Sequence, residues 1–213
     1  MSDTGAGRLP AKVFNISPHR SGTRSFHAWC CAHGIWAQHW CGPSAEDLAD
    51  SRLGHARNCP SPWRLWSAFR EYYAEGDVFS DLPTPLTYQA ALTEAPGAKF
   101  VLILRDPQEW VRSVRHHKGQ APFTAMERLF YGQITETWPG DSSGVHDYSD
   151  TALADGYRGY VREATVAVRR AGASLFVGGL GDPALGPMLA EFMGFQQVHA
   201  FGHVHDHDTG AGK

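Results

Sequence analysis

Residues Lys12 to Phe26 constrain the fold of this chain more than any other stretch. They read Lys-Val-Phe-Asn-Ile-Ser-Pro-His-Arg-Ser-Gly-Thr-Arg-Ser-Phe. The apolar start predicts a buried strand over 12–17, then a tight polar loop, then a helix over 22–34. A strand that empties through small residues into a helix N-terminus is an anion cradle. Backbone N–H groups converge there, and the helix dipole adds partial positive charge. Arg20 and Arg24 bring full charges, and Ser21, Thr23 and Ser25 bring hydroxyl donors. Gly22 lets the backbone come close to the guest. A phosphate or phosphate-like group is therefore expected. A Walker A loop would need Gly-x-x-x-x-Gly-Lys followed by Ser or Thr. This loop has the shape but lacks that lysine and the magnesium-binding hydroxyl beside it.

A second stretch adds a second anion site. Lys99-Phe-Val-Leu-Ile-Leu-Arg105 is a continuous apolar run ending in a cation, as suits a central parallel strand covered on both faces. Asp106 then reads as an N-cap, Pro107 as the first helical residue, and Glu109 as the partner in a capping-box-like pattern. The helix that follows turns Trp110, Val111 and Val114 inward. Arg105 at the strand end and Ser113 on the helix are placed to grip one anion together.

These stretches resemble the sulfotransferases that use 3′-phosphoadenosine 5′-phosphosulfate (PAPS). In that family a strand–loop–helix of the form Lys/Arg-[Ser/Thr/Gly]-Gly-Thr holds the 5′-phosphosulfate, matched here by Arg20-Ser21-Gly22-Thr23. An Arg-Asp-Pro strand end with a Ser eight positions after the Arg holds the 3′-phosphate, matched by Arg105-Asp106-Pro107 and Ser113. Residues 175–182 and 185–195 resemble the family's late strand and helix more weakly. Phe201-Gly-His-Val-His205 resembles its closing segment. The resemblance implies PAPS as co-substrate, with Arg20, Ser21, Gly22, Thr23, Arg24, Ser25, Arg105 and Ser113 as its binding residues and no metal required. The family usually has Lys where this chain has Arg20. An arginine can stabilise the leaving oxygen by charge but does not readily donate a proton.

The acceptor needs a base, which the resemblance places after the loop, at a strand end. Asp81, at the end of the short run Val78-Phe-Ser-Asp81, is preferred over His39 in Gln38-His39-Trp40. Glu46 and His55 are the remaining candidates. A turn cap before Pro83 is the structural alternative for Asp81, and a half-buried histidine that for His39.

The rest of the chain fits one enzyme domain. At 213 residues and 42% hydrophobic it can bury one substantial core. Strands alternate with helices, expected at 63–73, 84–94, from 107, from about 122, and at about 151–171 and 183–193. That pattern predicts a three-layer α/β/α fold with a central, mostly parallel sheet, like that of P-loop nucleotide hydrolases. The expectation is a single domain over 1–213, with flexible tails at 1–10 and about 206–213. A net charge of −3 gives no basic footprint for nucleic acid. No apolar run has membrane-spanning length, and the first residues do not read as a signal peptide. Cys30, Cys31, Cys41 and Cys59 form no Cys-x-x-Cys pair and read as reduced thiols in a cytoplasmic protein, with Cys30 and Cys31 as buried filler.

The aromatic helix at 63–73 is expected to be core rather than pocket wall. Gly140 to Gly144 reads as a mobile loop. His199, His203, His205 and His207 share a face of an extended segment, a pattern that can bind zinc or nickel, but the family-like closing segment overlaps it. The expected partner is a small-molecule acceptor bearing a hydroxyl or amine, with homodimerisation left open. A P-loop kinase or nucleotide hydrolase, and a non-catalytic anion- or metal-binding protein, are the competing readings.

Overall fold

The computed structural model describes residues 9–39, 62–119, 123–135 and 148–202. Among them run five strands: β1 (Val13–Asn15), β2 (Ala37–His39), β3 (Val78–Ser80), β4 (Lys99–Leu104) and β5 (Ser174–Gly179). The helices are α1 (Thr23–Ala32), α2 (Pro62–Ala68), α3 (Arg70–Glu75), α4 (Thr84–Glu94), α5 (Pro107–Lys118), α6 (Ala125–Thr135), α7 (Asp150–Arg170) and α8 (Leu185–Met193).

All strand pairs are parallel, in the order β2-β3-β1-β4-β5. From β1 the chain passes to the edge strand β2, returns through β3 beside β1, then crosses to β4 and β5 on the other side. The order therefore reverses beside β1. In such sheets the crevice at that reversal, at the carboxyl ends of the strands, is where ligands bind.

Strand alternation sends side chains to two cores. Phe14, Phe79, Phe100 and Leu102 pack on one face with residues of α2 to α7. Val13, Val78, Val101, Ile103 and Phe176 pack on the other with α1 and α8. This is the expected three-layer arrangement. On α1 the i, i+3, i+4 spacing buries Phe26, Trp29 and Cys30, and His33 packs on the Trp29 ring at 4.1 Å.

Local differences have local causes. The expected aromatic helix at 63–73 is two helices, α2 and α3, broken at Phe69, which leaves helical geometry at φ −105°. Its aromatics are mostly core: Trp66 stacks on Tyr73 at 4.4 Å, while Trp63 is exposed. Cys30 is buried as expected, and burial pushes its thiol up. Cys31 is exposed, which corrects the expectation for it. Cys41, Cys59, Glu46, His55, Gly140 to Gly144 and the three histidines after residue 202 lie outside the described residues. No described helix is long and apolar enough to cross a membrane.

Candidate active site

The loop after β1 is built by buried polar contacts. Asn15 Nδ2 donates to Ser80 Oγ at 3.0 Å, and Ser80 Oγ donates to the Thr23 carbonyl at 3.0 Å. Ser17 Oγ donates to Asn15 Oδ1 and accepts the Ile103 N–H at 2.7 Å. These residues are fully buried, apart from Thr23 at 4% exposed. Polar groups so deep persist only when paired, and here the pairing locks β1, β3, β4 and α1 together just beneath the loop.

Above that floor the loop makes a sharp turn. Arg20 has φ 71°, a conformation that side chains other than glycine rarely adopt. Gly22 has φ 80°, in the left-handed region that favours glycine, and a Cβ there would press on the Leu180 side chain. Gly22 thus suits the backbone geometry of the turn, whatever guest the loop holds. No side-chain hydrogen bond caps α1, and its first turn holds no acid, so this helix N-terminus carries no local carboxylate to oppose an anion. Ser21, Thr23 and Ser25 are buried, while Arg20 and Arg24 are half-buried.

The two sequence motifs touch. Arg105 Nη1 donates to the Arg20 carbonyl at 3.3 Å, and the fully buried Trp110 donates its indole N–H to the His19 carbonyl at 2.7 Å. The Arg105 N–H in turn donates to the Tyr157 hydroxyl at 2.7 Å. Asp106 caps α5 as foreseen, accepting from the N–H groups of Gln108 and Glu109 at 3.0 Å each. Glu109 Oε2 lies 4.0 Å from Arg105 Nε, and its Oε1 lies 3.7 Å from Arg112. Ser113 lies on the same helix, half-buried.

Opposite the loop, Asp81 leaves β3 with φ 69° and only 3% of its surface exposed. Its Oδ1 accepts from His19 Nδ1 at 2.7 Å and from the Leu82 N–H at 2.8 Å. Its Oδ2 lies 3.2 Å from His39 Nε2 and accepts from Thr23 Oγ1 at 3.3 Å. Burial alone would push this carboxyl up. The charge and hydrogen bond of His19, then His39 and the Leu82 N–H, outweigh burial and hold it well below the usual carboxylate range. Burial pushes His39 down. Asp81 pulls it back only in part, and His27, His19 and Arg24 deepen the depression. Burial thus favours the neutral form of His39, a part-exposed imidazole beside the Asp81 carboxylate.

The structure thus brings together Arg20, Thr23, Asp81, His39 and Arg105, as the sequence suggests, and adds His19 and Glu127. Glu127 Oε2 accepts from Lys118 and from the Thr124 N–H and hydroxyl, both at 2.8 Å. Burial would raise the Glu127 carboxyl, but these contacts keep it low. Its Oε1 stands 3.6 Å from His19 Nε2. Glu127 had a legible signal, since Thr124-x-x-Glu127 is a capping box and the Glu127 N–H returns to Thr124 Oγ1 at 3.3 Å. His19 had none, because its partner lies 62 residues away.

A family model described as "Sulfotransferase domain" matches residues 12–170. The chain belongs to the sulfotransferase family. The match begins at β1 and ends with α7, so it takes in the loop, the Asp81 turn and the Arg105 strand end. No curated protein matches the chain closely enough to count as a relative.

Proposed function

We propose that this sulfotransferase takes its sulfuryl group from PAPS and delivers it to a hydroxyl or amine of a small-molecule acceptor. The observation that carries this reading is the contact between its two anion motifs. Arg105 reaches the carbonyl of Arg20, so the loop and the second strand end form one continuous wall at the reversal of the sheet. A donor with a phosphosulfate at one end and a 3′-phosphate at the other suits such a wall. The α1 N–H groups, Arg20, Ser21, Gly22, Thr23, Arg24 and Ser25 would hold the phosphosulfate. Arg105 and Ser113 would hold the 3′-phosphate.

In the proposed reaction the acceptor oxygen attacks sulfur while the bond from sulfur to the bridging oxygen breaks. The electron pair goes to adenosine 3′,5′-bisphosphate, and Arg20 and the loop N–H groups meet the charge that grows on the bridging oxygen. The acceptor proton goes to the base. The sequence preference for Asp81 as base is revised here. Asp81 is sealed and engaged by His19, His39, Thr23 and Leu82, and so low a carboxyl is a weak proton acceptor. His39 is neutral, more accessible, and oriented by Asp81, so His39 takes the proton and Asp81 positions it.

The reading keeps a single domain in the cytoplasm, with no nucleic acid or membrane partner, and leaves a homodimer open. The test is calorimetry with adenosine 3′,5′-bisphosphate, adenosine 5′-phosphate and ATP with magnesium, alongside sulfuryl transfer from PAPS. Tight binding of the bisphosphate alone is expected. Equal affinity for adenosine 5′-phosphate would remove the 3′-phosphate assignment. A preference for ATP with magnesium would favour phosphoryl chemistry instead.

A further inference from the structure

His19, His117 and Glu127 come from three separate elements: the loop after β1, the last turn of α5 and the first turn of α6. One ligand atom from each lies within 4.8 Å of the other two. The 3.6 Å between His19 Nε2 and Glu127 Oε1 is too long for a hydrogen bond. It is close to the roughly 3.3–3.5 Å between neighbouring ligands that each sit about 2.0–2.1 Å from a tetrahedral zinc ion.

Both buried ligands are aimed by partners on their far side. His19 Nδ1 is held by Asp81 Oδ1 at 2.7 Å, which turns Nε2 toward Glu127. An imidazole backed by a buried carboxylate is the usual outer support of a metal-binding histidine. On Glu127, Oε2 takes the donors from Lys118 and Thr124, so Oε1 is the oxygen presented to His19. His117 is exposed at the end of α5, with its ring centroid 5.5 Å from that of His19.

We propose that His19, His117 and Glu127 bind one divalent transition-metal ion of the zinc class, with its remaining position open to solvent or a small ligand beside the anion loop. Two imidazoles and one carboxylate form a borderline-soft set that suits zinc over magnesium or calcium. The neighbouring Lys118 ammonium opposes a cation, so the site is weaker than a closed structural zinc centre. This departs from the expectation that no metal is involved, and it concerns residues other than the histidines near the C-terminus. It does not depend on the donor being PAPS.

The probe is Co²⁺, which absorbs strongly in the visible when four-coordinate, with Zn²⁺ as competitor. The full chain carries His203→Ala, His205→Ala and His207→Ala to silence the later imidazoles. One equivalent of Co²⁺ is expected, displaced by Zn²⁺. Glu127→Gln and His117→Ala should each weaken binding at least tenfold. His117 is exposed, so His117→Ala tests the site without threatening the fold. An absence of four-coordinate absorption, or a Co²⁺ affinity that His117→Ala leaves unchanged, would overturn the proposal. Bisphosphate calorimetry on the same protein keeps this outcome separate from that of the donor assignment.

Discussion

The turns that follow β1 and β3 are near twins in backbone and opposites in chemistry. Each puts a non-glycine residue in the left-handed region at the carboxyl end of a strand, Arg20 at φ 71° and Asp81 at φ 69°. The strands are neighbours in register, Asn15 beside Ser80. Arg20 remains half-buried in the loop over α1. Asp81 is sealed and takes contacts from two imidazoles, a hydroxyl and a backbone N–H. Such a conformation costs on the order of 1–3 kcal/mol and persists only where the surroundings impose it. At Asp81 the hydrogen bonds impose it. At Arg20 the neighbouring carbonyls do, pinned by Trp110 and Arg105. One turn places a half-buried cation in the loop over α1, and the other uses a sealed carboxylate to hold its neighbours.

The sharpest way to break the comparison is through the side chains that the two turns serve. His39→Gln should cut sulfuryl-transfer turnover by about 10²–10⁴ while leaving bisphosphate affinity within about two-fold. Normal turnover would move the base elsewhere. On the other turn, Arg20→Ala should lower turnover by about 10²–10³ with a smaller loss of binding, because the charge it meets grows in the transition state. Arg20→Lys should retain activity or raise it. Arg105→Ala should cost about ten- to hundred-fold in bisphosphate affinity, read by calorimetry.

Asp81→Asn should destabilise the protein by about 1–3 kcal/mol, because it disturbs a fully engaged buried acceptor. The sign of its pH dependence follows from the carboxyl being lower in the folded protein than in the unfolded chain. Its stabilisation is fully present above about pH 4–5 and is lost as pH falls through the folded value. Asp81→Asn should flatten that part of the acid-unfolding curve. The same carboxylate raises His39, so removing it should also shift the acid limb of the turnover profile to lower pH. An unchanged limb would mean that Asp81 does not act on the base. The smallest effect separates the turns most directly. Arg20→Gly should relieve backbone strain and raise stability by about 1 kcal/mol. Asp81→Gly should lower stability, and urea titration of both reads the contrast.

Elements with strong local signals were legible in the sequence. The run at 99–105 is β4, the Asp-Pro start of α5 caps as expected, and α4 spans the expected 84–94. Breaks set by tertiary packing were less so, as at Phe69. In the candidate site, charge and glycine pattern pointed to the loop, and a strand end pointed to Asp81. The surroundings of Asp81 were not legible, because its imidazole partners come from the loop after β1 and from the end of β2. His19 was hidden for the same reason, since beside Arg20 it reads as a spectator. Glu127 carries a capping signal, and a capping signal alone points to a helix start rather than to a site.

The indole of Trp110 and the guanidinium of Arg105 both end on carbonyls of the first loop. That has a consequence for anyone wishing to transplant specificity between sulfotransferases. A chimera that exchanges residues 16–26 alone would leave a buried indole N–H facing a foreign backbone, and one that exchanges 104–114 alone would leave the loop without its rear support. The two segments form a single graft, separated by about eighty residues of chain and inseparable as a module.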